Sequence, residues 1–366
     1  MYSKLNRIYV AATRQNDGKT FCTLGLLHLF HNQASKIGYI KPVGQQVMLI
    51  NNQAIDKDAA LMMGEFKLEQ QFAHMSPVAV PKGFTRDFLD KGQNKNYDLA
   101  GNIVKAFEET SRDKDVMIIE GTGHAGVGSV FGLSNAAVAG LLKAKVIIVT
   151  CAGIGKPIDE VALNTAVFRD HSIDVIGVIV NKVDKEKYDD ISHYARLGFK
   201  NQGIDVLGVI PYESFLELPK MRHIKKALDL DLLNFSENPD DSLTIETICI
   251  PIEDEPGSFK DKNCLILLSS RDEAWIHHHL KELSEMSGQA ILLCTKSQSL
   301  NYKTLELLAE KMIPVYSTKK GLYDIASILS NLSVKLGRED RKKIDKVKAM
   351  ISRYVDFDLL SRKINS

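Results

Sequence analysis

Short apolar runs alternate with longer amphipathic segments along the first two-thirds of the chain. The runs are nearly continuous in Val, Ile and Leu, which is typical of strands buried on both faces of a parallel sheet. They predict strands at 7–12, 36–42, 116–120, 145–151, 175–181 and 204–210. The intervening patterns predict helices at 19–31, 99–111, 135–142, 157–171 and 188–202. This alternation predicts a doubly wound, mostly parallel α/β domain over residues 1–218.

A second pattern begins after Pro211. The segment 212–228 is interpreted as a connection, and the polar segment 234–242 as a loop. A smaller α/β domain is predicted over residues 219–335, with strands at 264–269, 290–294 and 313–317 and helices at 272–287 and 302–311. Over residues 336–366, apolar positions at helical spacing predict a C-terminal helix that packs on a domain or on another subunit; they are Ile344, Val347, Ile351 and Val355.

Composition narrows the class of protein without identifying it. The 366 residues suffice for two domains, and 47 basic against 46 acidic residues leave a formal net charge of +1. No general attraction to nucleic acid or to a membrane surface is therefore expected. The five cysteines lack metal-ligand spacing, and no leader or spanning segment is recognised, so a cytoplasmic protein is predicted. The histidine run 277–279 could bind metal, but a solvated helix surface is favoured.

The segment "AATRQNDGKTF" (11–21) lies between the first predicted strand and the first predicted helix. Gly18, Lys19 and Thr20 match the second half of the phosphate loop G-x-x-x-x-G-K-[ST], whereas Thr13 stands at its first glycine. In such a loop the lysine contacts the β- and γ-phosphates and the threonine coordinates Mg²⁺. An ordinary turn containing Gly-Lys-Thr is the alternative, and the strand–loop–helix context favours the phosphate loop.

Two other strand ends carry candidate chemistry. Glu120 ends a buried strand and precedes glycines, which indicates a metal-supporting carboxylate, with a turn carboxylate as the alternative. Asn181 begins "NKVD" (181–184), a match to the N-K-x-D pattern that binds guanine in small GTPases. The acidic strand is not followed by D-x-x-G, so Asn181 is expected at a purine without fixing which one.

Together these segments resemble dethiobiotin synthetase over roughly residues 5–215. The resemblance is carried by "ATRQNDGKT" (12–20), "YIKPVGQ" (39–45), "DKDAALM" (56–62), "IIEGTGH" (118–124), "IVNKVD" (179–184) and "GVIPY" (208–212). In that family threonine is usual at the position of Thr13. The family commonly has an acidic residue where Arg14 stands. Arg14 therefore either adds phosphate contacts, like the signature lysine of deviant Walker ATPases, or is an exposed loop residue.

The resemblance implies an ATP site with Mg²⁺. Asp58 and Glu120 would support the metal together with Thr20, and Lys41 would face the γ-phosphate or the substrate, unless it is a strand-end surface lysine. Pro211 would close over the base. The implied nucleotide-binding set is Thr13, Arg14, Asp17, Gly18, Lys19, Thr20, Asn181 and Pro211. The expected partners are a nucleotide, an unidentified small-molecule acceptor and a second copy in a homodimer, with no nucleic acid and no membrane.

A closer resemblance is to the amino-terminal region of long phosphate acetyltransferases, carried by "PKGFTRDFLD" (81–90) and "GIGKPIDEVALN" (153–164). There a domain named for the signature D-R-T-G-G follows. Residues 313–329 resemble that domain, while 269–274 and 293–299 match the signature only loosely. Acetyl transfer to phosphate is not expected from these residues. The resemblance implies an ATPase or ATP-dependent ligase, or a nucleotide-sensing regulatory module.

Overall fold

The chain divides into two compact units, residues 1–213 with 336–366 and residues 214–335. A computed structural model describes residues 5–50, 52–91, 98–235, 241–250, 261–268, 272–286, 288–294, 300–332 and 334–366. The sequence places the boundary between 218 and 219, whereas the chain leaves the first unit after Glu213. Within the described ranges no helix has the length and apolar character needed to cross a bilayer.

The first unit is built from alternating strands and helices, and all six strands and five helices predicted for it form. In chain order its elements are β1 (Asn6–Ala12), α1 (Lys19–Asn32), β2 (Ile37–Ile40), β3 (Val43–Gly44), β4 (Val47–Ile50), β5 (Gln53–Asp56), α2 (Lys57–Phe66), α3 (Phe72–Met75), β6 (Val78–Ala79), α4 (Phe84–Lys91), α5 (Leu99–Ser111), β7 (Val116–Glu120), α6 (Asn135–Leu141), β8 (Lys145–Cys151), α7 (Lys156–Asp170), β9 (Val175–Val183), α8 (Tyr188–Asn201) and β10 (Val206–Pro211). The fold is thus the predicted doubly wound α/β class.

Six of these strands form one parallel sheet in the order β10-β9-β8-β1-β7-β2. β1 lies between β7 and β8, so the chain winds outward in both directions from it. Open α/β sheets bind ligands at this kind of switch point, outside the carboxyl ends of the strands. In the register, Val10 of β1 lies opposite Glu120 of β7. The end of β7 is therefore close to the segment that follows β1.

In chain order, the elements of the second unit are α9 (Met221–Leu228), β11 (Asp231–Leu232), β12 (Thr247–Cys249), β13 (Asn263–Leu268), α10 (Glu273–Glu285), β14 (Gly288–Cys294), α11 (Tyr302–Glu310), β15 (Val315–Thr318) and α12 (Leu322–Ser330). The five strands form one sheet, ordered β11-β15-β14-β13-β12, in which only the pairing of β11 with β15 is antiparallel. One face packs on α10 and α11 and the other on α9 and α12. Residues 212–228, interpreted from the sequence as a connection, contain helix α9.

Residues 336–366 form two helices, α13 (Arg341–Tyr354) and α14 (Phe357–Asn365), rather than the single helix predicted. The break has a clear cause. Val355 forms a bridge with Gly208, and the N–H of Asp356 donates to the carbonyl oxygen of Leu207 at 2.8 Å. The Asp356 carboxylate then caps α14 by accepting the N–H of Leu359 at 2.8 Å. This pairing with β10 stops one helix, and the cap starts the next.

Helices cover both faces of the first sheet. On one face, α5, α6, α7 and α8 bury alternate strand residues beneath large side chains such as Phe107, Phe168 and Phe199. On the other face, α1 lies on β1 and β7, and α13 and α14 lie toward β9 and β10. The C-terminal helices therefore complete the second layer of the nucleotide-loop unit.

Candidate nucleotide-binding site

The loop between β1 and α1 is organised around the buried carboxylate of Asp17. This carboxylate accepts the Thr13 hydroxyl and the Arg14 N–H, both at 2.7 Å. It also accepts the Cys151 thiol at 3.2 Å, and burial and the Asp17 charge raise the pKa of that thiol to about 12. The loop is thus held by its own hydrogen bonds at the start of α1, where backbone N–H groups and the helix dipole favour an anion.

Gly18 and Asn181 are packed against each other. Gly18 caps α1 with a φ of 106°, a conformation that side chains rarely adopt. Asn181, in β9, donates its amide to the carbonyl oxygen of Asp17 at 2.9 Å. A Cβ at position 18 would lie 2.1 Å from Asn181 Nδ2. Glycine is therefore needed here for backbone conformation and for space, and Asn181 holds the loop directly.

Replacing Gly18 with alanine is expected to destabilise the first unit. The positive φ and the overlap with Asn181 together cost about 2–4 kcal/mol. This corresponds to a fall of roughly 4 °C or more in the melting temperature, measured by circular dichroism. The matched control is Gly18→Ala combined with Asn181→Ala, which removes the overlap and keeps the strained backbone. An unchanged melting temperature in Gly18→Ala would contradict the prediction.

Lys19 and Arg14 take different directions from the same loop. The Lys19 ammonium donates to the Arg14 carbonyl oxygen at 3.3 Å, so it reaches back along the loop. The Arg14 guanidinium forms a two-point ion pair with Glu160 of α7, with Nε 2.8 Å from Oε2. The Arg14 side chain is 46% exposed, and its positive charge is paired with the Glu160 carboxylate.

Thr20 and Glu120 are brought together by α1 and β7. The Thr20 hydroxyl donates to Glu120 Oε1 at 2.8 Å, and the Tyr39 hydroxyl donates to Glu120 Oε2 at 3.0 Å. Both Glu120 and Tyr39 are buried. The two hydrogen bonds fix the orientation of the carboxylate, with Oε1 toward the start of α1.

Lys41 lies among three buried carboxylates. Its Nζ is 3.1 Å from Asp56 Oδ1 and 3.6 Å from Glu120 Oε1, and it contacts Asp58 Oδ2 directly. Lys41 is only 6% exposed, so it is not a surface lysine. Asp56 caps α2 by accepting the N–H of Asp58 at 2.9 Å. The β4–β5 hairpin ends at Asp56 and so delivers two carboxylates to one ammonium.

These charges shift one another's ionisation. Burial raises the pKa of Glu120 to about 7, partly offset by the positive charge of Lys41. Burial alone would lower the pKa of Lys41, but the charges of Glu120, Asp58 and Asp56 outweigh it and raise that pKa above its ordinary value. Lys41 therefore remains an ammonium ion across the physiological range.

The oxygen atoms at this edge suit a hard cation such as Mg²⁺. The Thr20 hydroxyl and Glu120 carboxylate lie side by side at the loop, whereas Asp58 is in contact with Lys41. In the part of the chain that the structure describes, no group of three or more His, Cys, Asp and Glu side chains is arranged to hold a metal by itself. Mg²⁺ commonly completes its ligand set with waters and substrate phosphates, so Thr20 and Glu120 fit that mode of binding.

The remaining candidate residues lie at the ends of β9 and β10. Pro211 ends β10 and pairs with Val183, two residues beyond Asn181. Asp184 of the "NKVD" segment accepts the N–H of Glu186 at 3.1 Å and so caps a short 3-10 helix. The Asp184 carboxylate thus stabilises a local turn, although the sequence pattern alone allows guanine binding.

Four residues at the site were not assigned from the sequence. Asp56 and Tyr39 surround the Lys41 and Glu120 charges, and Cys151 and Glu160 contact the loop. Tyr39 could have been found, because it stands two positions before Lys41 and strand residues two apart share a face. The ion pair of Glu160 with Arg14 joins residues 146 positions apart, which no local pattern indicates.

A phosphate loop between the central strand and the first helix of a parallel sheet, with an acidic residue ending the neighbouring strand, defines a P-loop nucleotide-binding domain. The sequence profile of the family described as "AAA domain" matches residues 6–220. The chain therefore belongs to this family.

Curated relatives agree with the resemblances found in the sequence. A phosphate acetyltransferase of Nitrosomonas europaea is 23% identical over 373 residues, covering 98% of this chain and 52% of the relative. An ATP-dependent dethiobiotin synthetase of Clostridium kluyveri is 26% identical over 234 residues, covering 61% of this chain and 87% of the relative. The chain spans about half the length of the phosphate acetyltransferases it matches. The likeness to a dethiobiotin-synthetase-type P-loop domain is thus confirmed.

Solved structures give a weaker likeness. The septum site-determining protein MinD complexed with Mg-ADP from Pyrococcus horikoshii shares 16% identity with a TM-score of 0.38, covering 58% of this chain and 84% of that one. The D-R-T-G-G likeness of the second unit stays a prediction, because residues 269–271 and 295–299 of its two segments lie outside the described residues.

Proposed function

We propose that the first unit binds ATP with Mg²⁺ and that the protein is an ATPase or ATP-dependent ligase acting on a small molecule. The observation that carries this proposal is the contact of the Thr20 hydroxyl with Glu120 Oε1 at 2.8 Å, directly beside the Lys19 loop. It joins the two halves of a phosphate and metal site across 100 residues of sequence. The relatedness to a protein named ATP-dependent dethiobiotin synthetase supports ATP as the nucleotide.

The chemistry that fits this site is transfer of the γ-phosphoryl group. A carboxylate-type oxygen of the acceptor forms a bond to the γ-phosphorus, the bond to the bridging oxygen breaks, and ADP leaves. Lys19 and the loop N–H groups stabilise charge on the phosphates, and Lys41 is near enough to Glu120 to serve the same region. Mg²⁺, when bound, would neutralise phosphate charge beside Thr20 and Glu120.

The test begins with the full chain and a fluorescent ATP analogue, titrated with and without Mg²⁺. We expect saturable binding that needs Mg²⁺ and is displaced by ATP. If GTP displaces the analogue as effectively as ATP does, the result would favour a GTPase instead. ADP formation is then followed with a panel of small carboxylate and amine acceptors. Absence of saturable nucleotide binding would refute the proposed function.

A nucleotide-sensing regulatory module is the second candidate. The path of the chain favours it, because residues 214–335 are inserted between β10 and α13 of the nucleotide unit. The inserted unit thus has two covalent connections to the unit that carries the loop. Saturable ATP binding without ADP formation in the acceptor panel would support this candidate over the enzyme.

A further inference from the structure

The ammonium of Lys41 lies against Glu120, which the proposed function places beside the metal, and against Asp58, which the family resemblance assigns to the metal. We propose that Lys41 is an internal counter-cation: its ammonium and a free divalent cation are alternative occupants of Asp58 and Glu120. The metal then enters efficiently only with the nucleotide. This inference rests on the proposed function for the identity of the metal, but its test does not require catalysis.

The geometry makes the two occupants competitors. Lys41 Nζ contacts Asp58 Oδ2 and lies 3.6 Å from Glu120 Oε1, the same oxygen that accepts the Thr20 hydroxyl. Glu120 Oε2 is turned the other way, toward the Tyr39 hydroxyl at 3.0 Å. A cation that binds Thr20 and Glu120 Oε1 would therefore lie within a few ångströms of a buried positive charge.

The energetics also favour competition between Lys41 and a divalent cation. Lys41 and its three carboxylate partners are all buried, so their mutual attraction is poorly screened by solvent. Removing the ammonium would leave buried carboxylates without this cation, a costly arrangement that a divalent cation relieves. In the wild-type protein a free metal must instead overcome repulsion from Lys41. Nucleotide phosphates change this balance, because they offer the ammonium a new anionic partner.

Asp56 allows Lys41 to release the other carboxylates without losing every partner. Its Oδ1 is 3.1 Å from Lys41 Nζ, and its carboxylate is fixed by the N–H groups of Asp58 and Gln46 at 2.9 and 3.0 Å. Asp56 is thus a rigid anchor at the side of the cluster. Replacing Lys41 by methionine and Asp56 by asparagine removes one positive and one negative group, so the formal charge of the cluster stays the same.

The experiment measures binding of Mn²⁺ alone to the full chain without nucleotide, by electron paramagnetic resonance of the free ion. The variants are Lys41→Met and the charge-matched Lys41→Met/Asp56→Asn, with Lys105→Met on the exposed side of α5 as control. We expect at least tenfold tighter Mn²⁺ binding in both Lys41 variants, no change in the control, and a larger rise of melting temperature with Mn²⁺ than in the wild type.

Equal Mn²⁺ affinity in wild type and folded Lys41 variants would overturn the inference. If Lys41→Met folds only with Mn²⁺, that result supports it, whereas failure of Mn²⁺ to restore folding to either variant contradicts it. Binding of Mg·ATP by the wild type is measured in parallel. If it occurs without a gain of Mn²⁺ affinity in the variants, the Lys41 inference fails alone; if it is absent, the proposed function fails.

Discussion

Replacing Lys19 with alanine is expected to weaken Mg·ATP binding by roughly 100-fold or more. Lys19 is the first residue of α1, and its ammonium reaches back to the Arg14 carbonyl oxygen at 3.3 Å. It therefore stands over the loop that would surround the phosphates. Loss of one charged donor from a preorganised anion site costs about 3 kcal/mol. Isothermal titration calorimetry of wild type and variant measures the change.

The loop itself should survive this substitution. The hydrogen bonds made by the Asp17 carboxylate and the Asn181 amide hold the loop without Lys19, whose ammonium donates outside that network, to the Arg14 carbonyl oxygen. We therefore expect an unchanged circular dichroism spectrum. Lys105→Ala, at an exposed position of α5, is the matched control and should bind as the wild type does. Wild-type affinity in Lys19→Ala would show that the loop does not bind phosphate.

Replacing Gly25 with alanine is expected to destabilise the first unit by about 2 kcal/mol, although alanine favours a helix by about 1 kcal/mol. Gly25 is in the middle of α1, where it faces Ile351 of α13. A Cβ at position 25 would lie 2.1 Å from Ile351 Cγ1 and 2.4 Å from its Cβ. Relief of such an overlap requires α13 to move away, because Ile351 is fully buried. Denaturant unfolding monitored by circular dichroism measures the effect.

A double-mutant cycle isolates this contact. Ile351→Ala alone should cost about 2–4 kcal/mol through the cavity that it leaves. Combined with Gly25→Ala, the cost should be clearly less than the sum, since the new methyl group enters that cavity. Gly140→Ala in α6 is the control, because its Cβ would meet Ile173 at an ordinary 3.5 Å. Strict additivity would show that α1 and α13 do not pack as described.

Strands buried on both faces are the part of the fold that the sequence predicts best. The runs 145–151 and 175–181 become β8 and β9 because continuous apolar sequence of this length is typical of strands covered on both faces of a parallel sheet. The β4–β5 hairpin is not predicted, because apolar and polar residues do not alternate along it and Met48 and Leu49 are exposed. The break after Tyr354 is not predicted, because it depends on pairing with β10, which lies far away in the sequence.

The candidate site also contains residues that the sequence predicts and residues that it does not. Lys19, Thr20 and Glu120 stand in local motifs, so sequence alone selects them. Their proximity follows from parallel strands ending at one edge of a sheet. The cluster around Lys41 is different, because its electrostatic role depends on the burial of its side chains, which the sequence does not reveal. A lysine after a strand is ordinary, and only its position among Asp56 and two further carboxylates makes it exceptional.

The return of residues 336–366 to the first unit has a consequence for synthesis of the chain. α13 and α14 cover part of the sheet that carries the loop, yet they emerge from the ribosome after the whole inserted unit. Until then, apolar residues of α1 that face Ile351 and its neighbours lack their cover. The nucleotide unit therefore begins before the inserted unit and is completed after it, and its uncovered apolar residues favour aggregation until then.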